Sequence, residues 1–121
     1  MLDYKNFDEK EILSENFAVK IINLERYLRE MKKELIISHQ IFRSGTSIGA
    51  HISEAKFAES RSDFKHKLAG AQKEGNETLY WLRLLYRTKF IDDKIFNSLY
   101  QECIVIMKIL SNIIKKLKND K

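Results

Sequence analysis

Basic and aromatic side chains in the second half of the chain have a spacing that could bind a nucleic acid. Tyr80, Arg83 and Arg87 follow one another at intervals of four residues or fewer, which places them on one face of a helix, and Lys89 lies close by. Arginine beside an aromatic ring can pair with a phosphate and stack on an unpaired base. A second, more diffuse basic set could follow a phosphate backbone without reading its sequence. That set is Lys115, Lys116 and Lys118. The simpler interpretation of both sets is a solvated helix face.

Four polar residues could form an acid or ligand cluster: Glu54, Glu74, Asn76 and Glu77. Together with Arg43 and Ser44 they could instead form a structural hydrogen-bond network between two helices. We favour the structural interpretation, in which a carboxylate of the third helix accepts hydrogen bonds from serine or threonine of the second, or pairs with Arg43. Buried polar groups of this kind help to fix the register of helical bundles.

Several kinds of chemistry are disfavoured by the sequence. A di-metal site in a helical bundle needs two Glu-x-x-His pairs, and no such pair occurs. Cys103 is the only cysteine and lies in an apolar stretch, where we expect an inert thiol and no intrachain disulfide. No strained turn presents a serine nucleophile, and no glycine-rich phosphate loop is present. We therefore predict a protein that is not an enzyme and that needs no metal or other cofactor.

The elements that must position these residues are helices, because apolar residues recur every three or four positions in four segments. The predicted helices span about residues 8–31, 35–57, 61–89 and 93–118. The apolar stripe of the first ends at Met31, Ser60 and Asp63 have the form of a capping box, and Asp92 or Asp93 begins the last helix. Short connections and the absence of proline favour an all-α, antiparallel up-down-up-down four-helix bundle, with residues 1–121 as one domain.

The second helix contains small residues where bulky ones would normally be expected. Gly45 and Gly49 are four residues apart, a small-xxx-small spacing. Each interior glycine costs a helix roughly 1 kcal/mol relative to alanine. We therefore predict that another helix packs closely against this face.

Two stretches carry a family resemblance: RSGTSIGAHISEA at 43–55 and DFKHKLAGAQKEGNETLYWL at 63–82. They resemble the bacterial four-helix-bundle family encoded in intervening sequences of 23S ribosomal RNA genes, and the resemblance covers nearly the whole chain. Two residues depart from the pattern, His51 where the family usually has asparagine and Gly75 in place of alanine. The resemblance implies a four-helix bundle, commonly a ring-shaped homopentamer, that is linked with RNA and has no known catalytic activity. A similar bundle is the accessory protein of diversity-generating retroelements, a basic pentamer that works with a reverse transcriptase and RNA.

The last helix is apolar well beyond one stripe, which predicts a second buried surface. The candidate interface residues are Phe96, Tyr100, Ile104, Met107 and Ile114. Self-association would bury them, although they could also be wide edges of the core. The number of five subunits comes from the resemblance alone.

The net charge of +5 is unevenly distributed, because residues 1–34 carry a net charge of −1 and residues 35–121 carry +6. Such a basic excess is compatible with attraction to nucleic acid, and it also keeps a small protein in solution. The charged N-terminal residues do not resemble a signal peptide, and no apolar run approaches the ~20 residues that span a membrane. We therefore expect a cytoplasmic, non-catalytic homo-oligomer that binds RNA through its basic surface. The alternative is an adaptor that docks a protein partner such as a reverse transcriptase.

Overall fold

A computed structural model of the protein describes residues 7–119 and consists of four helices. They are α1 (Glu9–Glu30), α2 (Ile36–Ala55), α3 (Arg61–Arg87) and α4 (Asp93–Asn119). Every helix boundary lies within two residues of its predicted position. The described part of the chain contains no strand.

Side-chain caps explain where α1 and α2 begin. At α1, Asp8 accepts a hydrogen bond from the Glu11 backbone N–H, and the Glu11 carboxylate accepts one from the Asp8 N–H, both at 3.1 Å. This reciprocal pair is a capping box. At α2 the N-cap residue is Leu35, and the carboxylate of the preceding Glu34 accepts hydrogen bonds from the backbone N–H groups of Ile36, Ile37 and Ser38 at 2.7–3.2 Å. Glu34 was not among the caps predicted from the sequence.

The starts of α3 and α4 also depend on short polar side chains. The Ser60 hydroxyl accepts from the Asp63 N–H at 3.0 Å, but the Asp63 carboxylate accepts from the N–H of Glu59 and not from that of Ser60. The first hydrogen bond of the expected capping box is therefore present, whereas the second goes to the residue before the predicted one. At α4, Asp92 is the cap, because its carboxylate accepts from the Ile95 N–H at 2.9 Å.

Lysine residues in a left-handed backbone conformation end α1 and α3. Lys33 has φ of 58° and Lys89 has φ of 67°. After each lysine the chain turns back, and the next N–H donates 2.9 Å hydrogen bonds to a carbonyl of the last helical turn, from Glu34 to Leu28 and from Phe90 to Leu85. Glycine is the usual residue at such a position, because it has no Cβ to crowd the backbone.

The four helices pack around one hydrophobic core in chain order: α1 on α2, α2 on α3, α3 on α4, and α4 back on α1. The result is the predicted antiparallel up-down-up-down bundle. The largest fully buried apolar side chains are Phe17, Ile21, Leu28, Ile41, Ile48, Ile52, Leu68, Leu82, Leu85, Ile106 and Leu110. Each such side chain stabilises the fold by roughly 1.5–3 kcal/mol relative to an exposed one. No helix in the described range 7–119 combines the length and apolarity that crossing a membrane requires.

The core is less well covered at Met31 and where α1 packs on α4. Met31 continues the apolar stripe of α1 in the sequence, but it is largely exposed because the helix ends at Glu30. The contact between α1 and α4 is the least extensive of the four. The bundle is therefore tightest around α2 and α3, which carry the small and polar residues of the family motifs.

Three helical glycines lie where a methyl group would crowd a neighbouring side chain. A Cβ on Gly45 would lie 2.9 Å from both γ-carbons of Ile21 in α1, and one on Gly49 would lie 3.3 Å from the Ser14 hydroxyl. A Cβ on Gly75 of α3 would overlap the sulfur of Met107 in α4. Helix α1 therefore packs directly against the glycine face of α2, and Met107 occupies the space that alanine would need at position 75.

Candidate nucleic-acid interface

The outer face of α3 brings Tyr80 and Arg83 together. Both side chains are exposed, and the Arg83 guanidinium carbon lies 5.9 Å from the centre of the Tyr80 ring. Arg83 Nη1 also donates a 3.1 Å hydrogen bond to the hydroxyl of Tyr100 on α4. A guanidinium carries five N–H donors, so this bond leaves donors for an anion while fixing the direction of the side chain.

Arg87 is the last residue of α3 and Lys89 follows just after the helix; both line a cleft at one end of the bundle. This end cleft has a volume of about 800 Å³ and lies where α1 ends, α3 ends and α4 begins. Its cations come from three segments of the chain: Lys32, Arg87, Lys89 and Lys94. All four are exposed, and none forms an ion pair with a described residue.

The two carboxylates of the end cleft already have hydrogen-bond donors. Asp92 accepts from the Ile95 backbone N–H, and Asp93 accepts from the Tyr86 hydroxyl at 2.5 Å. Four cations and two carboxylates give the lining a net charge of +2. The cleft therefore attracts anions.

Aromatic rings complete the lining of the end cleft. The Tyr86 ring stacks on Phe96 of α4, with 4.4 Å between ring centres and 17° between ring planes. The hydrogen bond to Asp93, together with the negative charge of that carboxylate, raises the pKa of the Tyr86 phenol. Tyr27 contributes from α1, with the Lys32 ammonium 5.9 Å from its ring centre. Tyr86 is thus held on one side by a ring and at its tip by a carboxylate.

The C-terminal lysines belong to the opposite end of the molecule. Lys115, Lys116 and Lys118 are exposed in the last turns of α4, where the Arg61 guanidinium of α3 donates to the Leu117 carbonyl at 3.5 Å. The 27 residues of α4 span about 40 Å at 1.5 Å per residue. The structure therefore divides the predicted basic residues between two ends that a single nucleotide cannot bridge.

Three of the six predicted network residues meet between α2 and α3. Arg43 pairs with Glu74 at 3.2 Å and with Glu77, and the Glu77 carboxylate also accepts a 3.0 Å hydrogen bond from the Trp81 indole. We call this group the Arg43 clamp. Both carboxylates are partly buried, and both are neutralised by a cation of the neighbouring helix, so the clamp is suited to fixing helix register.

A neutral hydrogen bond between the same two helices lies deeper in the core. The hydroxyl groups of Ser44 and Thr78 are both fully buried and lie 2.9 Å apart, and Thr78 is also 2.8 Å from the Glu74 carbonyl. The remaining two network candidates lie elsewhere. Glu54 pairs with Lys67 at 3.2 Å on an exposed surface, and Asn76 is exposed with no side-chain hydrogen bond to a described residue.

Three of the five interface candidates on α4 contact residues of α3. Phe96 stacks on Tyr86, Tyr100 accepts from Arg83, and Met107 fills the space beside Gly75. Ile104 is half-buried and Ile114 is buried. Contacts within the protomer therefore account for part of the burial of these residues, and their place in an interface stays a prediction.

The thiol of Cys103 is buried in the core. Burial raises the pKa of the Cys103 thiol to about 12, and its sulfur lies 3.7 Å from the Gly75 carbonyl. Within residues 7–119, no group of three or more His, Cys, Asp or Glu side chains could hold a metal ion.

Sequence reasoning missed part of the end cleft. Tyr27, Lys32 and Lys94 come from chain segments outside the predicted basic face of α3, and only the alignment of helix ends brings them to Arg87. The signal that could have found them is topological. In an up-down-up-down bundle, the end of α1, the end of α3 and the start of α4 must share one end.

The fold and its surface define a small, basic, all-α four-helix-bundle protein. Residues 12–112 match the model of the 23S rRNA-intervening sequence protein family, and the chain belongs to this family. It is similar to a crystal structure of a protein of unknown function, from the S23 ribosomal protein family, of Bacteroides thetaiotaomicron. The sequence identity is 49%, the TM-score is 0.87, and the match covers 88% of this chain and 98% of that one. No match is found among curated proteins.

Proposed function

We propose that this chain is a non-catalytic, self-associating bundle that binds RNA through its basic surface. The observation that carries the proposal is the set of four cations in the end cleft, none paired with a described carboxylate, in a lining that also contains the exposed Tyr27 and Tyr86. Arg83 and Tyr80 extend that surface along α3. Cations with neighbouring aromatic rings suit RNA, because phosphates and unpaired bases are recognised together.

Self-association, with a pentamer favoured by the family resemblance, is the second part of the proposal. Val19 of α1 and Val105 of α4 are 53% and 48% exposed and line a groove of about 450 Å³ between these helices. Covering such side chains would stabilise an oligomer by removing apolar surface from water. An oligomer would also repeat each basic surface, so that weak contacts with one RNA add up through avidity.

Native mass spectrometry of protein purified without nuclease treatment tests both parts together. We expect an oligomer that retains RNA. A monomer would contradict self-association, and an oligomer that neither retains nor binds added RNA would contradict the RNA proposal.

The RNA surface is tested by paired substitution and by salt. Replacing Arg83 and Arg87 together by alanine should weaken RNA binding without dissociating the oligomer, and wild-type affinity should fall steeply as salt is raised. Tyr100→Phe controls for the hydrogen bond that Arg83→Ala also removes, because it takes away the hydroxyl acceptor and leaves every cation in place. Unchanged RNA affinity in the double variant would show that this face is not the interface.

The absence of catalysis is also part of the proposal. Glu77 is the most plausible acid or base among the candidates, but its carboxylate is already engaged by Arg43 and Trp81. We expect Glu77→Gln to change the free energy of unfolding and to abolish no enzymatic activity. Any reaction that is lost in this variant while its helical circular dichroism persists would overturn the proposal.

Docking to a protein partner such as a reverse transcriptase is the second candidate function. The exposed apolar residues Met31, Leu35 and Ile36, at 72%, 62% and 77%, favour it because they cluster at the connection between α1 and α2. Replacing Leu35 and Ile36 by serine should abolish such docking and leave RNA affinity unchanged. The further likeness to the retroelement accessory protein stays a prediction.

A further inference from the structure

We propose that the end cleft binds one unpaired nucleotide of a single-stranded RNA, with the phosphate among the cations and the base beside a tyrosine. This inference rests on the proposed RNA function and deepens it, because it specifies both the place and the form of the ligand. It uses residues from α1 and α4 that the α3 face does not contain.

The positive charge of the end cleft favours a phosphate as one part of the ligand. Lys32, Arg87, Lys89 and Lys94 reach the cleft from separate segments, and the two carboxylates present already accept hydrogen bonds. Four like charges repel one another unless an anion lies between them. A phosphate diester supplies that negative charge together with acceptor oxygens for the Arg87 guanidinium.

The tyrosines that line the cleft favour a base that is unpaired over one in a duplex. Tyr86 is immobilised by its stack on Phe96 and its hydrogen bond to Asp93, so little conformational entropy is lost when a ligand packs beside it. Tyr27 is exposed on the α1 side of the same cleft. In an RNA duplex the base faces are covered by their neighbours, whereas an unpaired base can reach a tyrosine. The cleft volume of about 800 Å³ also falls within the roughly 300–1,000 Å³ of small-ligand sites.

The phosphate contact is tested with Lys89→Gly and its matched control Lys33→Gly. Both substitutions remove one lysine from a left-handed position at the same end of the bundle, but Lys33 does not line the cleft. Affinity for a short fluorescent single-stranded RNA should fall about fivefold at 0.1 M salt in Lys89→Gly, since each phosphate contact contributes about 0.7 to the salt slope. We expect the control to bind as the wild type does, and equal loss in the two variants would overturn the inference.

The base contact is tested with Tyr27→Leu, which keeps an apolar side chain but removes the aromatic face. Single-strand affinity should fall by about fivefold or more, as is typical when a base loses its stacking partner. Affinity for a duplex of the same length should not change. Circular dichroism and melting confirm that the variant is folded.

The outcomes separate this inference from the function on which it rests. If Arg83→Ala weakens RNA binding while Lys89→Gly and Tyr27→Leu do not, RNA binds elsewhere on α3 and the cleft assignment is wrong. If the wild-type protein binds duplex and single strand equally, the unpaired-nucleotide assignment is wrong. If it binds no RNA at all, the proposed function and the inference both fall.

Discussion

Two lysines adopt a backbone conformation that is unfavourable for residues with a side chain. Lys33 and Lys89 both have positive φ, at the ends of α1 and α3. A Cβ in this conformation costs roughly 1–2 kcal/mol. The hydrogen bonds that turn the chain back toward Leu28 and Leu85 compensate by satisfying carbonyl groups of the last helical turn.

We expect Lys33→Gly to stabilise the protein by about 0.5–1 kcal/mol, because relief of the Cβ strain exceeds the extra entropy that glycine gives the unfolded chain. Chemical denaturation measures the change in the free energy of unfolding. Lys33→Ala is the control, since it removes the charge but keeps the Cβ. A gain of similar size in Lys33→Ala would mean that charge, not backbone conformation, is the cause.

Cys103 should react with thiol reagents only when the protein unfolds. Its side chain is fully buried and its pKa is raised to about 12, so almost no thiolate exists near neutral pH. Because this pKa is above the unfolded value of about 9, burial of the neutral thiol contributes stability below pH 9 and loses it as pH rises toward 12. Labelling with a maleimide at pH 8, followed by mass spectrometry with and without denaturant, measures the protection. Rapid labelling of the folded protein would contradict this placement of the thiol.

At the scale of elements, glycines set the distances between neighbouring helices. Gly45 faces the two γ-carbons of Ile21, a β-branched side chain that cannot rotate away easily. Gly75 faces the unbranched side chain of Met107 instead. The same residue type therefore meets a stiff neighbour between α1 and α2 and a more adaptable one between α3 and α4.

The pair formed by Gly75 and Met107 should show energetic coupling. We expect Gly75→Ala alone to change the free energy of unfolding by less than about 1 kcal/mol, because the helix propensity that alanine gains offsets the cost of moving the flexible end of the Met107 side chain. In a Met107→Ala background the same substitution should stabilise the protein by up to about 1 kcal/mol, because alanine favours the helix and no side chain has to move. A double-mutant cycle of unfolding free energies measures the coupling. Additive effects would show that the two side chains do not compete for space.

Much of the helical architecture could be predicted from the sequence. The apolar stripes locate all four helices, because helix period and core position coincide in residues such as Phe17 and Leu82. The caps were harder to predict. Glu34 acts from a position before the helix, and the carboxylate of Asp63 reaches Glu59, so a fixed capping pattern does not describe either. The space beside Gly75 could not be predicted, since it depends on one rotamer of Met107.

At the scale of the whole molecule, the two predicted basic sets lie at opposite ends of the bundle, about 32–36 Å apart along α4 from Lys94 to Lys115 and Lys118 by helix rise. The end cleft contains Lys32, Arg87, Lys89 and Lys94, while Lys115, Lys116 and Lys118 lie at the far end of α4. The sequence predicted both basic sets, but their separation and the contribution of α1 emerge only when the helices are aligned end to end. A short RNA can therefore use only one end of a protomer, whereas a long RNA can use both.

Replacing Lys115 and Lys116 together by alanine should discriminate between long and short RNA. We expect unchanged affinity for a short single strand that fits the end cleft, and weaker binding with a shallower salt dependence for a strand long enough to reach both ends. Titrations of the two RNAs at several salt concentrations measure this. Equal weakening for both lengths would mean that short RNA binds at the C-terminal end.

The Arg43 clamp makes the protein's one tryptophan an optical reporter of the α2–α3 contact. The Trp81 indole donates to the same Glu77 carboxylate that Arg43 holds from the other helix. Arg43→Ala should release that carboxylate to water and shift the Trp81 emission maximum while far-ultraviolet circular dichroism stays helical. An unchanged emission spectrum would contradict this link. Fluorescence can thus follow loosening of two helices within a bundle that remains folded, without any added label.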